Sequence, residues 1–200
     1  LGEGGFGVRG TDRSVPLEAV IAAAFNPRKL PPGLEPGLEG QASFTLREAN
    51  YPFGAHLAVV EVDPETGQVQ VLRYIAVDDC GTVVNPLLFE GQQHGGVAQG
   101  IGQALYEGVL YDAEGQNLRA SLLEYALPRA DQVPPVEAYR METPSPTNPL
   151  GVKGVGEAGA IAATPAVVNA VLDALGVDHL DMPLSPEKLW RSLREGTSAR

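Results

Sequence analysis

β-Branched and aromatic residues crowd two runs of the chain, Ala58-Val59-Val60-Glu61-Val62 and Val69-Gln70-Val71-Leu72-Arg73-Tyr74-Ile75-Ala76-Val77. Between them lies Asp63-Pro64-Glu65-Thr66-Gly67. Asp and Pro start a turn and Gly tolerates the positive φ that ends one, so the stretch predicts a β-hairpin. The period then changes. Val97, Ile101, Leu105 and Val109 recur at every fourth position within 87–110, which is helical spacing. Gly91, Gly95, Gly96, Gly100 and Gly102 interrupt the same stretch. Each costs a helix about 1 kcal/mol against alanine, so they need a reason: close approach of another helix or of a ligand.

Elsewhere the pattern is shorter-ranged. Phe6 and Val8 before Gly10-Thr11-Asp12 suggest a small strand and loop, and Leu17–Phe25 reads as a helix entered through Pro16. Residues 27–40 carry Pro27, Pro31, Pro32, Gly33, Pro36, Gly37 and Gly40, too many restricted angles and missing donors for regular structure. This linker divides the chain into residues 1–40, a strand, helix and Pro-rich linker, and residues 41–200. Asp112–Gln116 is a polar turn, 118–127 a short helix or irregular segment, and 133–139 a strand. Pro144, Pro146 and Pro149 make 143–149 an extended loop. A strong helical pattern covers Ile161–Leu175 with Gly176 as its C-cap. Ser185-Pro186 starts a final helix with Leu189, Trp190 and Leu193 on one face. There is no internal repeat. The fold class expected is α+β, a hairpin-containing mixed sheet packed with helices.

Composition narrows the function. Lys and Arg number 14 against 25 Asp and Glu, a net charge of −11. That excludes a basic nucleic-acid stripe and a polybasic membrane anchor. Hydrophobic residues make up 44% of the 200, too many for a disordered chain. No uninterrupted apolar run reaches the ~18 residues of a membrane span. A single cysteine, Cys80, leaves no internal disulfide and no multi-Cys metal site. Leu1–Gly10 lacks the basic start and apolar core of a secretory leader. A soluble, cytoplasmic protein is expected, with the start of the natural polypeptide upstream of Leu1.

Several residues carry candidate chemistry. Gly154-Val155-Gly156-Glu157-Ala158-Gly159 matches G-x-G-x-x-G. A proline-rich segment precedes it rather than a strand, and Glu157 stands where a phosphate would meet an anion. Glu157 has two readings. A helix N-terminus favours its ionised form and burial beside a ligand opposes it, which suits a general base; or it caps the helix. Gln92, Gln93, Gln99 and Gln103 offer both donor and acceptor, suited to an uncharged heterocycle or to a polar helix face. Lys153 could meet a phosphate, pair with Glu157 or stand in solvent. Cys80 reads as a buried small hydrophobe. His56, His94 and His179 form no ligand pattern.

Taken together, two segments resemble a known family. Asp78-Asp79-Cys80-Gly81 with Asn85-Pro86, followed by Glu90–Ala104, is one. Asn148-Pro149-Leu150-Gly151-Val152-Lys153 with Gly154–Gly159 is the other, and Met182–Glu187 follows. Both resemble the molybdopterin-binding large subunit of molybdenum hydroxylases, the carbon monoxide dehydrogenase, aldehyde oxidase and xanthine dehydrogenase type. The resemblance spans about residues 40–195. It implies a molybdenum–molybdopterin cofactor, in its cytosine dinucleotide form, with no metal ligand from the protein. It implies Glu157 as general base toward a molybdenum-bound hydroxyl that attacks an aldehyde, an N-heterocycle or a CO-like substrate. Asn85, Gln92, Gly95, Gly96, Gln99, Lys153, Gly154, Val155 and Gly156 would line the cofactor. Iron–sulfur centres and FAD are expected on a small and a medium partner subunit, in an oligomeric assembly.

The family's upstream cofactor segment and substrate loops have no counterpart in these residues. The chain is therefore expected to be the C-terminal part of a large subunit, inactive alone. Two other readings stay open: a nucleotide-binding protein using 151–159, and a non-catalytic assembly module.

Overall fold

Asp63 organises the hairpin turn. Its Oδ1 accepts from the Glu65 amide at 2.8 Å and its Oδ2 from the Thr66 hydroxyl at 2.6 Å. The Gly67 amide then donates to the Asp63 carbonyl at 2.7 Å, with Gly67 at φ 72°. A side chain at Gly67 would also strike the Pro186 carbonyl, so two constraints demand glycine there. These features belong to a computed structural model that describes residues 4–197. The chain divides into two compact units, Leu1–Thr45 and Leu46–Arg200.

In the first unit, β1 (Gly5–Gly7) pairs antiparallel with β2 (Ser14–Pro16), and α1 (Leu17–Ala24) follows directly. Pro16, with φ fixed near −61°, occupies the N-cap. Among the described residues of this unit only Ala24 is buried, and Phe25, Leu34 and Leu38 are exposed.

In the second unit, β3 (Phe53–Val62) and β4 (Val69–Asp79) form the hairpin. A bulge interrupts the ladder, because Val59 pairs with Arg73 and Val60 with Val71, leaving Leu72 over. It re-phases β4, so that Val71, Tyr74, Ala76 and Asp78 are buried. The expected third strand lies a few residues later, at Val136–Met141 (β5), parallel to β4 from Tyr74↔Val136 to Asp79↔Met141. The sheet, ordered β3-β4-β5, is mixed. Residues 118–127 are irregular, the second of the two expected forms, with a turn at 122–124.

The expected helix of 87–110 is α2 (Pro86–Leu105). Asn85 caps it, its side-chain oxygen accepting from the Leu87 and Leu88 amides at 3.1 and 3.3 Å. It stops early because the Gly102 carbonyl takes both the Tyr106 and Glu107 amides. The next helix, α3 (Ala158–Leu175), starts earlier than its apolar pattern and ends at Gly176, φ 67°. α3 is long and apolar enough to cross a membrane by length and composition. The sequence expectation missed this by requiring an uninterrupted apolar run, which Thr164, Asn169 and Asp173 break. Here Ala163, Val167 and Val171 are fully buried in a core shared with Tyr74, Val97 and Ile101. Last comes α4 (Pro186–Thr197), whose Leu189 enters that core.

Glycine reconciles α2 with α3. A Cβ at Gly96 would lie 2.6 Å from the Ala160 amide nitrogen, and one at Gly159 2.6 Å from the Gln93 carbonyl oxygen. One at Gly100 would meet the Ala163 side chain. Gly91 and Gly95 differ, for nothing stands within 4 Å of their Cβ positions.

Candidate functional site

The site is built outward from the end of β4. Adjacent strand residues point to opposite faces, so Asp78 and Asp79 serve different neighbours. Asp78 accepts from Gln93 Nε2 of α2 at 2.8 Å and meets His56 Nε2 of β3 at 3.3 Å. The other ring nitrogen, His56 Nδ1, lies 2.8 Å from the Tyr74 hydroxyl. Gln93 Nε2 also donates to the Tyr139 carbonyl of β5 at 3.0 Å. Both Asp78 and Gln93 are buried, and the His56 side chain is fully so. Burial, with the Asp78 charge behind it, pushes the Tyr74 hydroxyl above its ordinary pKa.

Asp79 turns toward the segment that leads into α3. Its Oδ1 accepts from the Gly81 amide at 2.9 Å and from Lys153 Nζ at 3.0 Å. Its Oδ2 is buried without a partner of good hydrogen-bond geometry. Burial works to raise this carboxyl's pKa, but the Thr143 hydroxyl and amide, the Gly81 amide and Lys153 outweigh it and hold it at about 2. The Lys153 ammonium also lies 4.3 Å from the centre of the Phe53 ring. This is none of the three arrangements weighed from sequence: Lys153 faces neither a phosphate, nor Glu157, nor open solvent, its side chain being only 9% exposed.

Backbone bonds complete the link. Lys153 N–H donates to the Cys80 carbonyl at 2.8 Å, and the Gly151 carbonyl accepts from Thr82 and Ser145 amides at 3.0 and 2.9 Å. Asn148 donates to and accepts from Val152, and Asn50 adds a further bond to the Val152 carbonyl. Cys80 is buried beside this seam, and burial raises its thiol pKa. Beyond Lys153 the chain is freer. Gly154 and Gly156 are exposed with open space at their Cβ positions, and Val155 is half-buried. Glu157 is exposed at the N-cap of α3 and makes no capping hydrogen bond.

The two motif segments therefore meet where the first turn of α3 packs on Gln93–Gly96 of α2. Gly96 is consumed by that packing and the Asn85 side chain by its cap. Gln92, Gly95 and Gln99 stand on the exposed side of α2. The strand–turn–helix setting of a pyrophosphate loop is missing: only the single bridge Gly81↔Val152 precedes Gly154. Among the described residues no group of three or more His, Cys, Asp or Glu could hold a metal.

Sequence reasoning missed the buried network. Its signal was present: Gln93 falls on the Val97 and Ile101 face of α2, and His56 on the Ala58, Val60 and Val62 face of β3. A polar residue on an apolar stripe marks an internal bond.

The chain is similar to known proteins over nearly its whole length. Residues 1–134 match the molybdopterin cofactor-binding domain family. The carbon monoxide dehydrogenase large chain of Hydrogenophaga pseudoflava is 42% identical over 195 residues, 95% of this chain and 24% of that one. The nicotine 6-hydroxylase large subunit of Paenarthrobacter nicotinovorans is 42% identical over 180 residues, 88% of this chain and 22% of that one. Among solved structures, a Cu,Mo-CO dehydrogenase superposes with a TM-score of 0.84 at 36% identity, covering 96% of this chain and 24% of that one. Quinoline 2-oxidoreductase from Pseudomonas putida 86 superposes at 0.79 with 42% identity, covering 91% and 24%. The chain thus spans about a quarter of the length of these relatives.

Proposed function

The chain belongs to the molybdopterin cofactor-binding domain family, and from that premise we propose that it supplies one wall of the cofactor site in a molybdenum hydroxylase large subunit, with Glu157 as general base. The observation that carries this is the junction of α2 and α3. It sets an exposed Gln and Gly face beside a glycine turn that ends in an uncapped carboxylate.

The residues fit such a group. Gly91, Gly95, Gly154 and Gly156 have nothing within 4 Å of their Cβ positions, which leaves backbone open to a flat ligand. Gln92 and Gln99 bring neutral amides that match the donor and acceptor edges of a heterocycle. When bound, the cofactor would supply the oxygen-transfer and two-electron chemistry.

This chain's own part is binding and proton transfer. The amides of Gln92 and Gln99 orient the ligand, and the turn 154–156 brings backbone N–H groups to it, the Lys153 N–H being given to the Cys80 carbonyl. Glu157 takes a proton at its carboxylate as the substrate is hydroxylated. We assign the cofactor-facing surface to residues 41–200. The remainder of the large subunit, an iron–sulfur subunit and a flavin subunit are the proposed partners, and a cytosine dinucleotide the proposed cofactor form. Relatives named for carbon monoxide, nicotine and quinoline support a small electrophilic carbon centre as the substrate class.

The test is Glu157→Ala in the complete enzyme. Turnover is expected to vanish while molybdenum content persists; retained turnover overturns the assignment.

A further inference from the structure

Asp78 and Asp79 are neighbours on one strand end, yet each reaches a different cofactor-side segment. Asp78 holds α2 through Gln93 at 2.8 Å, and Asp79 holds the approach to the glycine turn through Lys153 at 3.0 Å. We propose that Asp79 and Lys153 are positioning residues: their buried ion pair fixes the Gly154–Glu157 turn to the end of β4, and with it the Glu157 carboxylate.

Three observations converge on this. First, Lys153 immediately precedes the turn and bonds back to the end of β4 through both backbone and side chain: its amide donates to the carbonyl of Cys80, the residue after β4, and its ammonium donates to Asp79. Second, the turn has little to hold it beyond the Ala158 amide's bond to the Val155 carbonyl at 3.2 Å. Gly154 and Gly156 add backbone freedom, and Glu157 lacks a cap bond. On its C-terminal side the turn is anchored by Gly159 against Gln93. Lys153 and Gly159 are thus the two ends of a short bridge, and Glu157 stands within it. Third, the pair is nearly dry, with side-chain exposures of 9% and 1%. Breaking a buried pair leaves an uncompensated charge, so its geometry is held far more firmly than that of a surface pair. The Phe53 ring closes the other side of the ammonium. Asp78 does not duplicate this role; its bonds end on α2 and β3.

The effect on turnover rests on the Glu157 reading, whereas the effect on the turn does not, and the experiment separates them. Hydrogen–deuterium exchange of the 200-residue chain reads the turn directly. Lys153→Met and Asp79→Asn should each accelerate exchange of the hydrogen-bonded amides of 151–153, where the turn is attached, by about tenfold or more, while the hairpin turn 63–68 stays unchanged. Lys153→Arg keeps the charge and should stay within about twofold of the parent. Unchanged exchange at 151–153 in folded Lys153→Met overturns the proposal, as does a uniform acceleration across the whole chain. If Asp79→Asn fails to fold, Lys153→Met decides, since Asp79 then keeps its Gly81 bond. In the complete enzyme, Lys153→Met should lower kcat by about tenfold or more with KM and molybdenum content unchanged. A KM effect alone would overturn the link to Glu157 while leaving the exchange result to judge the clamp. Active Glu157→Ala enzyme would sink the catalytic reading without touching that result.

Discussion

Gly159 of α3 rests on the carbonyl oxygen of Gln93 of α2, so closely that a Cβ there would lie 2.6 Å from it. The contact joins the two segments whose sequences carry the family likeness. It also separates glycines that pack from glycines that leave room.

Gly96→Ala and Gly159→Ala are expected to cost about 1–3 kcal/mol each, because backbone rather than a flexible side chain blocks the new methyl. Gly91→Ala and Gly95→Ala occupy open space on a helix and should stabilise the chain by up to about 1 kcal/mol. Urea unfolding of the four variants measures both directions. In the complete enzyme the open pair should behave differently, with Gly95→Ala lowering molybdenum content despite its stability.

The neighbouring glutamines of α2 should diverge as sharply. Gln93→Leu strips a buried bond from Asp78 and one from the Tyr139 carbonyl, at a cost of about 2–3 kcal/mol. Gln92→Ala, on the exposed side, should stay within about 0.5 kcal/mol of the parent. Thermal unfolding distinguishes them.

The Asp79 carboxyl falls from an ordinary 3.8 to about 2 in the fold. A lowered folded-state value means that the pairing stabilises the chain above the unfolded value and is lost as pH falls through the folded one. Stability should therefore decline between about pH 4 and pH 2. Asp63, which is exposed, and Glu137, half-buried beside Arg73, are also lowered and add a shallower slope. Asp79→Asn should flatten the steeper part of the decline, read by urea midpoints across that range.

Glu157→Gln should leave the melting temperature of the chain unchanged, since the side chain is exposed and makes no cap bond. A drop of several degrees would mean that Glu157 has a structural role instead. The same variant should be without turnover in the complete enzyme.

Local physics was legible in the sequence. The Asp63–Gly67 turn, the Gly176 stop and the core stripe of Val97 and Ile101 all follow from residue type and spacing. That the two motif segments belong together was legible only through their resemblance to a known family, since the glycines and amides alone suit helix packing and a polar helix face equally well. Three matters were decided only by the tertiary structure. The extra residue at Leu72 re-phases β4, so counting alternate residues from Val71 would have turned Asp79, not Asp78, toward the core. Lys153 found a partner 74 residues away, which no local pattern encodes. Gly96 and Gly95, adjacent and chemically identical, acquired opposite roles because one faces α3 and the other faces open space. Sequence periodicity fixes which face a residue occupies within its own element; what lies across from that face depends on how the elements dock, and only the packed chain determines it.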